Sequence, residues 1–319
     1  MRNCSPTPGP RKVLIALALV AAVGACAPES VSEPGGSRET PAPPADQRVS
    51  IQATSAAVLV GAGDIASCVN TNDDKTAKLL DAISGTVFAA GDNAYENGTL
   101  SEYQACYGPN WGRHKSRTLP VTGNHEYQTT NAQGHFQYFG AAAGPTGKGW
   151  YSRTVGTWHV IVLNSNCNKI GGCGPTSTQG KWLAADLAAN HSACTLALWH
   201  HPRFRSGGPV GGDGMSDVWR MLYNANAELV LNGHAHFYER FAPQRVSGTA
   251  DAARGLREFI VGTGGRSLNS LGTAIPNSQV RNNSTYGVLK LTLGSGQYSW
   301  QFVPVAGKTF TDRGSGKCH

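Results

Sequence analysis

The sequence predicts an α/β protein in which two mixed β-sheets pack together and are flanked by helices, and three observations carry that expectation. Short apolar runs bounded by Gly and Asp alternate with helical stretches over residues 58–231. Beyond residue 258 the alternation gives way to strands with almost no helix between them. A hydrophobic content of 40% with 8% aromatics in 319 residues is enough for a folded body with a sizeable core.

The N-terminus reads as an export signal over residues 1–25. Arg2, Arg11 and Lys12 precede an apolar run over residues 13–25, which falls short of the ~20 apolar residues that span a bilayer. The run ends in Val23-Gly24-Ala25-Cys26, which resembles a bacterial lipobox with Cys26 as the lipidated first residue of the mature chain. Ordinary cleavage after Ala25 and free secretion is the alternative. Residues 26–55 are rich in Pro, Ser, Ala and Gly without helical or strand periodicity, so a flexible tether is expected there, followed by a single domain over 56–319.

Within that body, residues 58–65 and 86–90 read as strands on either side of a helix over 73–83. Residues 158–163, 195–199 and 229–231 read as further strands, separated by helices over 179–189 and 217–225. Apolar runs of this length with such boundaries are the mark of buried strands. The runs 258–261, 287–293 and 298–303 are expected to supply most of a second, mixed sheet, with Gly294-Ser295-Gly296 as a hairpin turn.

Charge and cysteines narrow the class. The formal charge is +7, but three of the 27 basic residues lie in the signal, which leaves 24 against 20 acidic residues and a charge of +4. With no Lys/Arg run, nucleic-acid binding is not implied. Cys4 lies in the signal, leaving Cys68, Cys106, Cys167, Cys173, Cys194 and Cys318 beside Cys26. An even set in an exported chain suggests three disulfides, for which fifteen pairings exist. Cys167 and Cys173 bracket a Gly-rich stretch and suit a small closed loop; the pairing expected with it is Cys68–Cys106 and Cys194–Cys318. No Cys-x-x-Cys pair points to zinc.

Five short blocks carry the chemistry: Gly63-Asp64, Gly91-Asp92-Asn93-Ala94-Tyr95, Gly123-Asn124-His125-Glu126, His200-His201-Pro202 and Gly233-His234-Ala235-His236. A lone Gly-Asp suits a turn equally well. Here, however, each block follows an apolar strand-like run, and ligands gather beyond the carboxyl ends of parallel strands. Asp, His, Asn and Tyr donors together suit transition metals, whereas an all-oxygen set would suit Mg²⁺ or Ca²⁺. Two metals ~3.5–4 Å apart can hold a hydroxide nucleophile and neutralise phosphoryl oxygens, and Asp92 is a carboxylate able to bridge them.

In this order the five blocks resemble the signature of the calcineurin-like metallophosphoesterases. Tyr95, three residues after Asp92, and the extension Phe237-Tyr238-Glu239-Arg240 resemble the purple acid phosphatase branch. The resemblance covers about residues 58–240 and implies a four-layer αββα sandwich. It also implies a first metal held by Asp64, Asp92, Tyr95 and His236, and a second by Asp92, Asn124, His200 and His234. Tyr95 phenolate is a hard donor, so Fe³⁺ is expected beside it, with Fe²⁺, Zn²⁺ or Mn²⁺ in the second site. His125 becomes the candidate general acid or phosphate hydrogen-bond donor. His-x-Pro spacing selects His200 as ligand and leaves His201 to face substrate or to support the ligands from behind.

Departures from the family pattern are informative. The first block reads Asp64-Ile65-Ala66 where many members have Asp-x-His, and Tyr95 is the expected replacement for that histidine. Plant purple acid phosphatases carry an extra N-terminal β-domain for which residues 27–55 leave no room. Arg203 and Arg205 sit in a loop with Gly207-Gly208 and Gly211-Gly212 that reads as solvated, with phosphate contact and a lid role as the alternative. His114, His135, His159 and His191 read as surface or structural. The function implied is hydrolysis of small phosphomonoesters outside the cytoplasm. Phosphodiester hydrolysis in the same site and a non-catalytic lipoprotein that binds metal or phosphate are the rivals.

Overall fold

The computed structural model describes residues 56–207 and 214–319. The expected signal, Cys26, the tether, and Gly208, Gly211 and Gly212 lie outside the described residues.

In chain order the first half forms β1 (Ala57–Ala62), β2 (Ala66–Ser67), α1 (Asn72–Ala82), β3 (Thr86–Ala89), β4 (Ala94–Tyr95), α2 (Leu100–Glu102), β5 (Thr118–Pro120) and α3 (Gln133–Phe139). The central part forms β6 (Tyr151–Val155), β7 (Trp158–Val162), α4 (Thr178–Ala189), β8 (Cys194–Leu198), α5 (Met215–Asn224) and β9 (Leu229–Asn232). The last part holds β10 (Tyr238–Phe241), β11 (Arg257–Val261), β12 (Ser278–Asn282), β13 (Gly287–Gly294), β14 (Gln297–Pro304) and β15 (Arg313–Lys317).

Six strands form one sheet in the order β15-β14-β13-β1-β3-β5, and seven form the other in the order β12-β10-β11-β9-β8-β7-β6. Strands β1, β3 and β5 run parallel, as do β7, β8, β9 and β11. Parallel neighbours need crossovers; α1 lies between β1 and β3, α4 between β7 and β8, and α5 between β8 and β9.

The two-residue period of a strand sorts the second sheet's side chains between two cores. Val160, Val162, Leu196, Leu231 and Phe259 share a core with Leu289 and Trp300 of the first sheet. Ile161, Ala197, Val230 and Ile260 pack with Leu183 of α4 and Trp219 and Leu222 of α5. Helix α5 buries Met215, Val218, Trp219 and Leu222, the i, i+3, i+4, i+7 stripe of an amphipathic helix. Between the sheets Phe259 meets Trp300 with ring centroids 5.6 Å apart. Trp158 meets Tyr298 at 5.8 Å and donates its indole N–H to Gly294 O at 2.9 Å. The result is the four-layer order of helix, sheet, sheet and helix.

One expectation is corrected. The late strands β13 and β14 do not build the second sheet; they extend the first, because β13 pairs with β1. Only β11 of the three late runs joins the second sheet, beside β9. The burial patterns give the reason. After its first residue β11 is buried on both faces, as the middle of a covered parallel sheet requires. Along most of β13 buried and half-buried residues alternate, which suits a sheet covered mainly on one side. Strands β6, β12 and β15 went unrecognised because they are sheet edges, and their sequences YSRTV, SQVRN and RGSGK carry the polar residues that protect an edge.

All three expected disulfides are present, with Cα–Cα distances of 5.1 Å for Cys68–Cys106, 5.1 Å for Cys167–Cys173 and 5.6 Å for Cys194–Cys318. Cys194 opens β8 of one sheet, and Cys318 follows β15 of the other, so that bond ties the two sheets together. Among the described residues no helix is long and apolar enough to cross a membrane.

The Cys194–Cys318 bond closes a sequence separation of 124 residues, and long loops gain most from cross-linking. Replacing both cysteines by serine is expected to lower unfolding free energy by about 2–5 kcal/mol. Urea unfolding under non-reducing conditions measures it, and an unchanged midpoint would show that sheet packing alone sets the stability.

Candidate metal centre

The five sequence blocks all stand at carboxyl ends of strands, but they come from both sheets. Asp64, Asp92 and Asn124 follow β1, β3 and β5 of the first sheet, while His200 and the pair His234 and His236 follow β8 and β9 of the second. Backbone bonds close the sheets together at this end: Gly63 N–H donates to Val261 O at 2.8 Å, and Gly264 N–H to Gly63 O at 2.9 Å.

Close approach makes the glycines of these blocks necessary. A Cβ on Gly91 would lie 2.5 Å from His200 Nδ1, and one on Gly123 would collide with the Asp92 carboxylate. Asp64, Asp92 and His234 themselves adopt left-handed backbone, with φ of 59°, 50° and 68°. That conformation costs an L-residue about 1–2 kcal/mol, and residues so held cluster at functional sites. Hydrogen bonds hold it in place: Asp64 N–H donates to Gly91 O at 3.0 Å, and His234 N–H to Asp64 Oδ2 at 2.7 Å.

The side chains converge in two overlapping groups. Tyr95 Oη lies 3.0 Å from Asp64 Oδ1, 3.2 Å from Asp92 Oδ2 and 3.2 Å from His236 Nε2. His200 Nε2 lies 3.2 Å from the same Asp92 Oδ2 and 3.2 Å from Asn124 Oδ1, which is 3.0 Å from His234 Nδ1. Asp92 Oδ2 therefore belongs to both groups. Asp64, Asp92 and His200 offer donor atoms within 4.8 Å of one another, and so do His200, His201 and His234.

The chemistry of this arrangement calls for cations. His200 Nδ1 faces Ala90 O at 2.9 Å and His236 Nδ1 faces Ser267 O at 2.8 Å. A carbonyl only accepts, so both Nδ1 atoms carry hydrogen and both Nε2 atoms turn lone pairs inward when the ring is neutral. Lone pairs of His200, Asp92 and Asn124 then point at one another. Metal–ligand bonds of ~2.0–2.2 Å place neighbouring donors ~3 Å apart, which matches these separations. The residues fit a metal pair of the transition series.

In the absence of metal a proton fills the same need. Burial opposes charging His200, but Asp92 beside it more than offsets that and pushes the imidazole up to about 9. Asp92 is correspondingly held below the usual carboxylate range, burial being outweighed by His200 and His125. His201 and His234 go down to about 3, chiefly through burial and then through the charge on His200. Burial, followed by the charges of Asp64 and Asp92, pushes the Tyr95 phenol upward; a bound cation reverses that balance and favours phenolate.

His125 borders the groups, and His201 adds a ring nitrogen within 4.8 Å of those of His200 and His234. His125 N–H donates to Asp92 Oδ1 at 2.8 Å, its Nδ1 meets Glu96 O, and its Nε2 lies 3.9 Å from Asp92 Oδ2. His201 Nδ1 is 2.8 Å from Ser165 Oγ. Arg203 is turned away to Val246 O at 3.1 Å, while Arg205 is near enough to bear on the charge of His201. His114, His135 and His159 serve structure: His114 and His159 pair with Asp81 and Asp186 at 2.9 and 2.8 Å, and His135 meets Tyr103 at 3.1 Å.

Sequence reasoning passed over two supporting features. Glu126 is fully buried and accepts backbone N–H bonds from Asp92, Asn93 and Gly123 at 3.0, 2.8 and 2.6 Å, plus the Tyr103 hydroxyl at 3.0 Å. One carboxylate thus locks the Asp92 and Asn124 loops together. The second feature is the turn Gly262-Thr263-Gly264-Gly265-Arg266 after β11, whose Arg266 lies 4.8 Å over the Tyr95 ring and pairs with Glu96 at 2.7 Å. An apolar strand ending in glycines, as in the other five blocks, was the signal for it.

A cavity of about 530 Å³ adjoins the centre and shares Asn124 and His201 with it. That volume suits a small ligand.

A family model described as calcineurin-like phosphoesterase matches residues 59–238. Purple acid phosphatase 22 of Arabidopsis thaliana is 28% identical over 211 residues, which cover 59% of this chain and 44% of that protein. An uncharacterized protein of Mycobacterium tuberculosis is 26% identical over 264 residues, covering 69% of this chain and 48% of that one. The chain thus spans about half the length of the curated relatives it matches. Among solved structures, purple acid phosphatase PPD1 from yellow lupin seeds has a TM-score of 0.68 at 17% identity, with 82% of this chain and 54% of that chain covered. GAP50, the anchor in the inner membrane complex of Plasmodium, has 0.60 at 14% identity, with 81% and 88% covered. At these identities the likeness to solved structures is one of fold.

The His200 proton yields a pH prediction for the metal-free protein. A raised imidazole pKa contributes stability that is fully present below its ordinary value of 6.5 and is lost as pH rises through about 9. Denaturant unfolding of chelator-treated protein between pH 6 and 10 should show this decline, and His200→Ala should remove it. A wild-type profile flat over that range would contradict the reading.

Proposed function

The chain belongs to the calcineurin-like phosphoesterase family, and from that premise we propose that residues 56–319 form a catalytic domain hydrolysing phosphomonoesters at a centre of two metal ions. The observation that carries the proposal is Asp92 Oδ2, equidistant at 3.2 Å from Tyr95 Oη and His200 Nε2. A single carboxylate oxygen shared by two donor groups is the arrangement a metal pair needs.

On this reading Asp64, Asp92, Tyr95 and His236 hold one ion, and Asp92, Asn124, His200 and His234 hold the other. The Tyr95 site takes Fe³⁺, for which a phenolate is a hard donor, and the second takes Fe²⁺, Zn²⁺ or Mn²⁺. Bound together, the ions supply charge neutralisation at the phosphoryl oxygens and activation of water near neutral pH. The protein's own residues do the rest. Peptide N–H groups of His125 and His234 fix the Asp92 and Asp64 carboxylates, and Glu126 fixes the loops that present them.

His125 is the proton donor to the departing oxygen. Its Nδ1 is anchored to Glu96 O, which turns Nε2 toward the centre, and it remains partly open to solvent and substrate. His201 is neutral at physiological pH and held by Ser165, so it offers substrate a hydrogen bond rather than a charge. Three disulfides suit an oxidising compartment, which supports export, either anchored through a lipidated Cys26 or freely secreted. The monoester preference rests on likeness to purple acid phosphatase 22 of Arabidopsis thaliana.

Matched assays with 4-nitrophenyl phosphate and bis(4-nitrophenyl) phosphate should favour the monoester, and a diester preference would overturn that part of the reading. Asp92→Asn is expected to cost at least about 100-fold in kcat, more than loss of a group that merely orients a ligand, together with metal content. Undiminished turnover would remove Asp92 from its bridging role. Purified protein should absorb in the visible through Fe³⁺ and the Tyr95 phenolate, and Tyr95→Phe should bleach it; a colourless, iron-free active protein would refute the iron assignment while sparing the hydrolase.

A further inference from the structure

The cavity beside the metal centre has a composition that selects among phosphoesters. Two of its lining residues, Asn124 and His201, face the centre, and Tyr127, Gln128, Asn166 and Lys169 continue its wall. Among the described residues that line it there is no Asp or Glu, and Lys169 is the one cation. Amides supplement that lysine, since Gln128 and Asn168 each carry an N–H₂ donor. Lys169 is exposed, and among the described residues no carboxylate pairs with it.

This wall is built rather than loose. Lys169 stands in the short helical turn Cys167–Lys169, inside the loop closed by the Cys167–Cys173 disulfide. Lys169 N–H donates to Asn166 O at 2.8 Å, and Gly172 N–H to Cys167 O at 2.8 Å. Asn166 is buried and its amide donates to Gly123 O at 3.3 Å, Thr122 O at 3.4 Å and Asn164 Oδ1 at 3.0 Å. Gly123 immediately precedes Asn124, so the turn bearing Lys169 is tethered by hydrogen bonds to the loop that presents a proposed metal ligand.

We propose that this cavity receives the alcohol portion of the substrate and that Lys169 selects organic phosphates whose alcohol bears a second anionic group. The assignment rests on the phosphomonoesterase reading and deepens it. The reaction is the same hydrolysis: water oxygen joins phosphorus, the phosphorus–oxygen ester bond breaks, and the departing oxygen takes a proton. What Lys169 and the amides add is recognition of a carboxylate or second phosphate on the leaving group, which a wall containing acidic residues would repel. A neutral polyol or a flat aromatic leaving group gains nothing from the lysine.

The test compares 3-phosphoglycerate with glycerol 3-phosphate, two three-carbon esters that differ by the carboxylate, on the metal-loaded protein and on Lys169→Gln. The wild type is expected to favour 3-phosphoglycerate in kcat/KM by about tenfold, the scale of one charge-assisted contact at a partly exposed site. Lys169→Gln should bring the ratio near one while leaving 4-nitrophenyl phosphate turnover, metal content and melting temperature unchanged. Raising the ionic strength should erode the wild-type preference, because an exposed cation is screened. Equal use of the two esters by the wild type, or a preference that survives in Lys169→Gln, would overturn the assignment. No turnover of any of the three esters by protein with its full metal complement would instead overturn the hydrolase reading, and this one with it.

Discussion

Everything in this molecule that bears on function depends on one unfavourable contact made favourable by a cation: the lone pair of neutral His200 Nε2 turned toward the Asp92 carboxylate and the Asn124 carbonyl oxygen. Buried charges and acceptors without compensation destabilise a fold by several kcal/mol. Here Asp64, Asp92 and His200 are each 0–1% exposed, so water cannot relieve the crowding. A proton on His200 or a pair of metal ions can, and the two compete for the same lone pairs. Metal affinity in this protein is therefore tied to pH through His200 and tied to folding through every strand end that feeds the cluster.

The scaffold keeps these groups from spreading apart. Glu126 joins the loops after β3 and β5 by three backbone bonds, and the loop after β11 packs against the loop after β1 through Gly264 and Gly63. The two sheets are locked by aromatic contacts in their shared core and by the Cys194–Cys318 bond. Because the donors come from both sheets, any slip of one sheet against the other would separate His200 and His234 from Asp92. The rigidity of the interface between the sheets is thus a condition for the site.

Much of this was legible in the sequence, for identifiable reasons. Strands β1, β3, β5, β8 and β9 fall in apolar strand-like runs, and each of the five blocks follows one of them, so their convergence followed from the rule about carboxyl ends of parallel strands. The edge strands β6, β12 and β15 were illegible because protection of an edge demands polar residues, which erase the apolar signal. The partner of β13 was misjudged because adjacency in sequence suggested a separate sheet, whereas the alternation of Leu289, Leu291 and Leu293 with Lys290 and Thr292 already marked a strand with one covered face. Glu126 was visible only as part of a motif; its task as a backbone acceptor depends on loops meeting in space. The proximity of Lys169 to Asn124 likewise comes from a hydrogen bond between Asn166 and Gly123 that no spacing in the chain foretells.

Likeness of fold alone does not decide activity, since one scaffold hosts many functions; the weight rests on the shared carboxylate. The most direct test is a crystal structure of the metal-loaded protein with anomalous scattering recorded at the edges of the bound metals. Two peaks about 3.5–4 Å apart, both in contact with Asp92 and divided between the Tyr95 and His200 groups, are the expected result. A single peak, or two that do not share Asp92, would contradict the account.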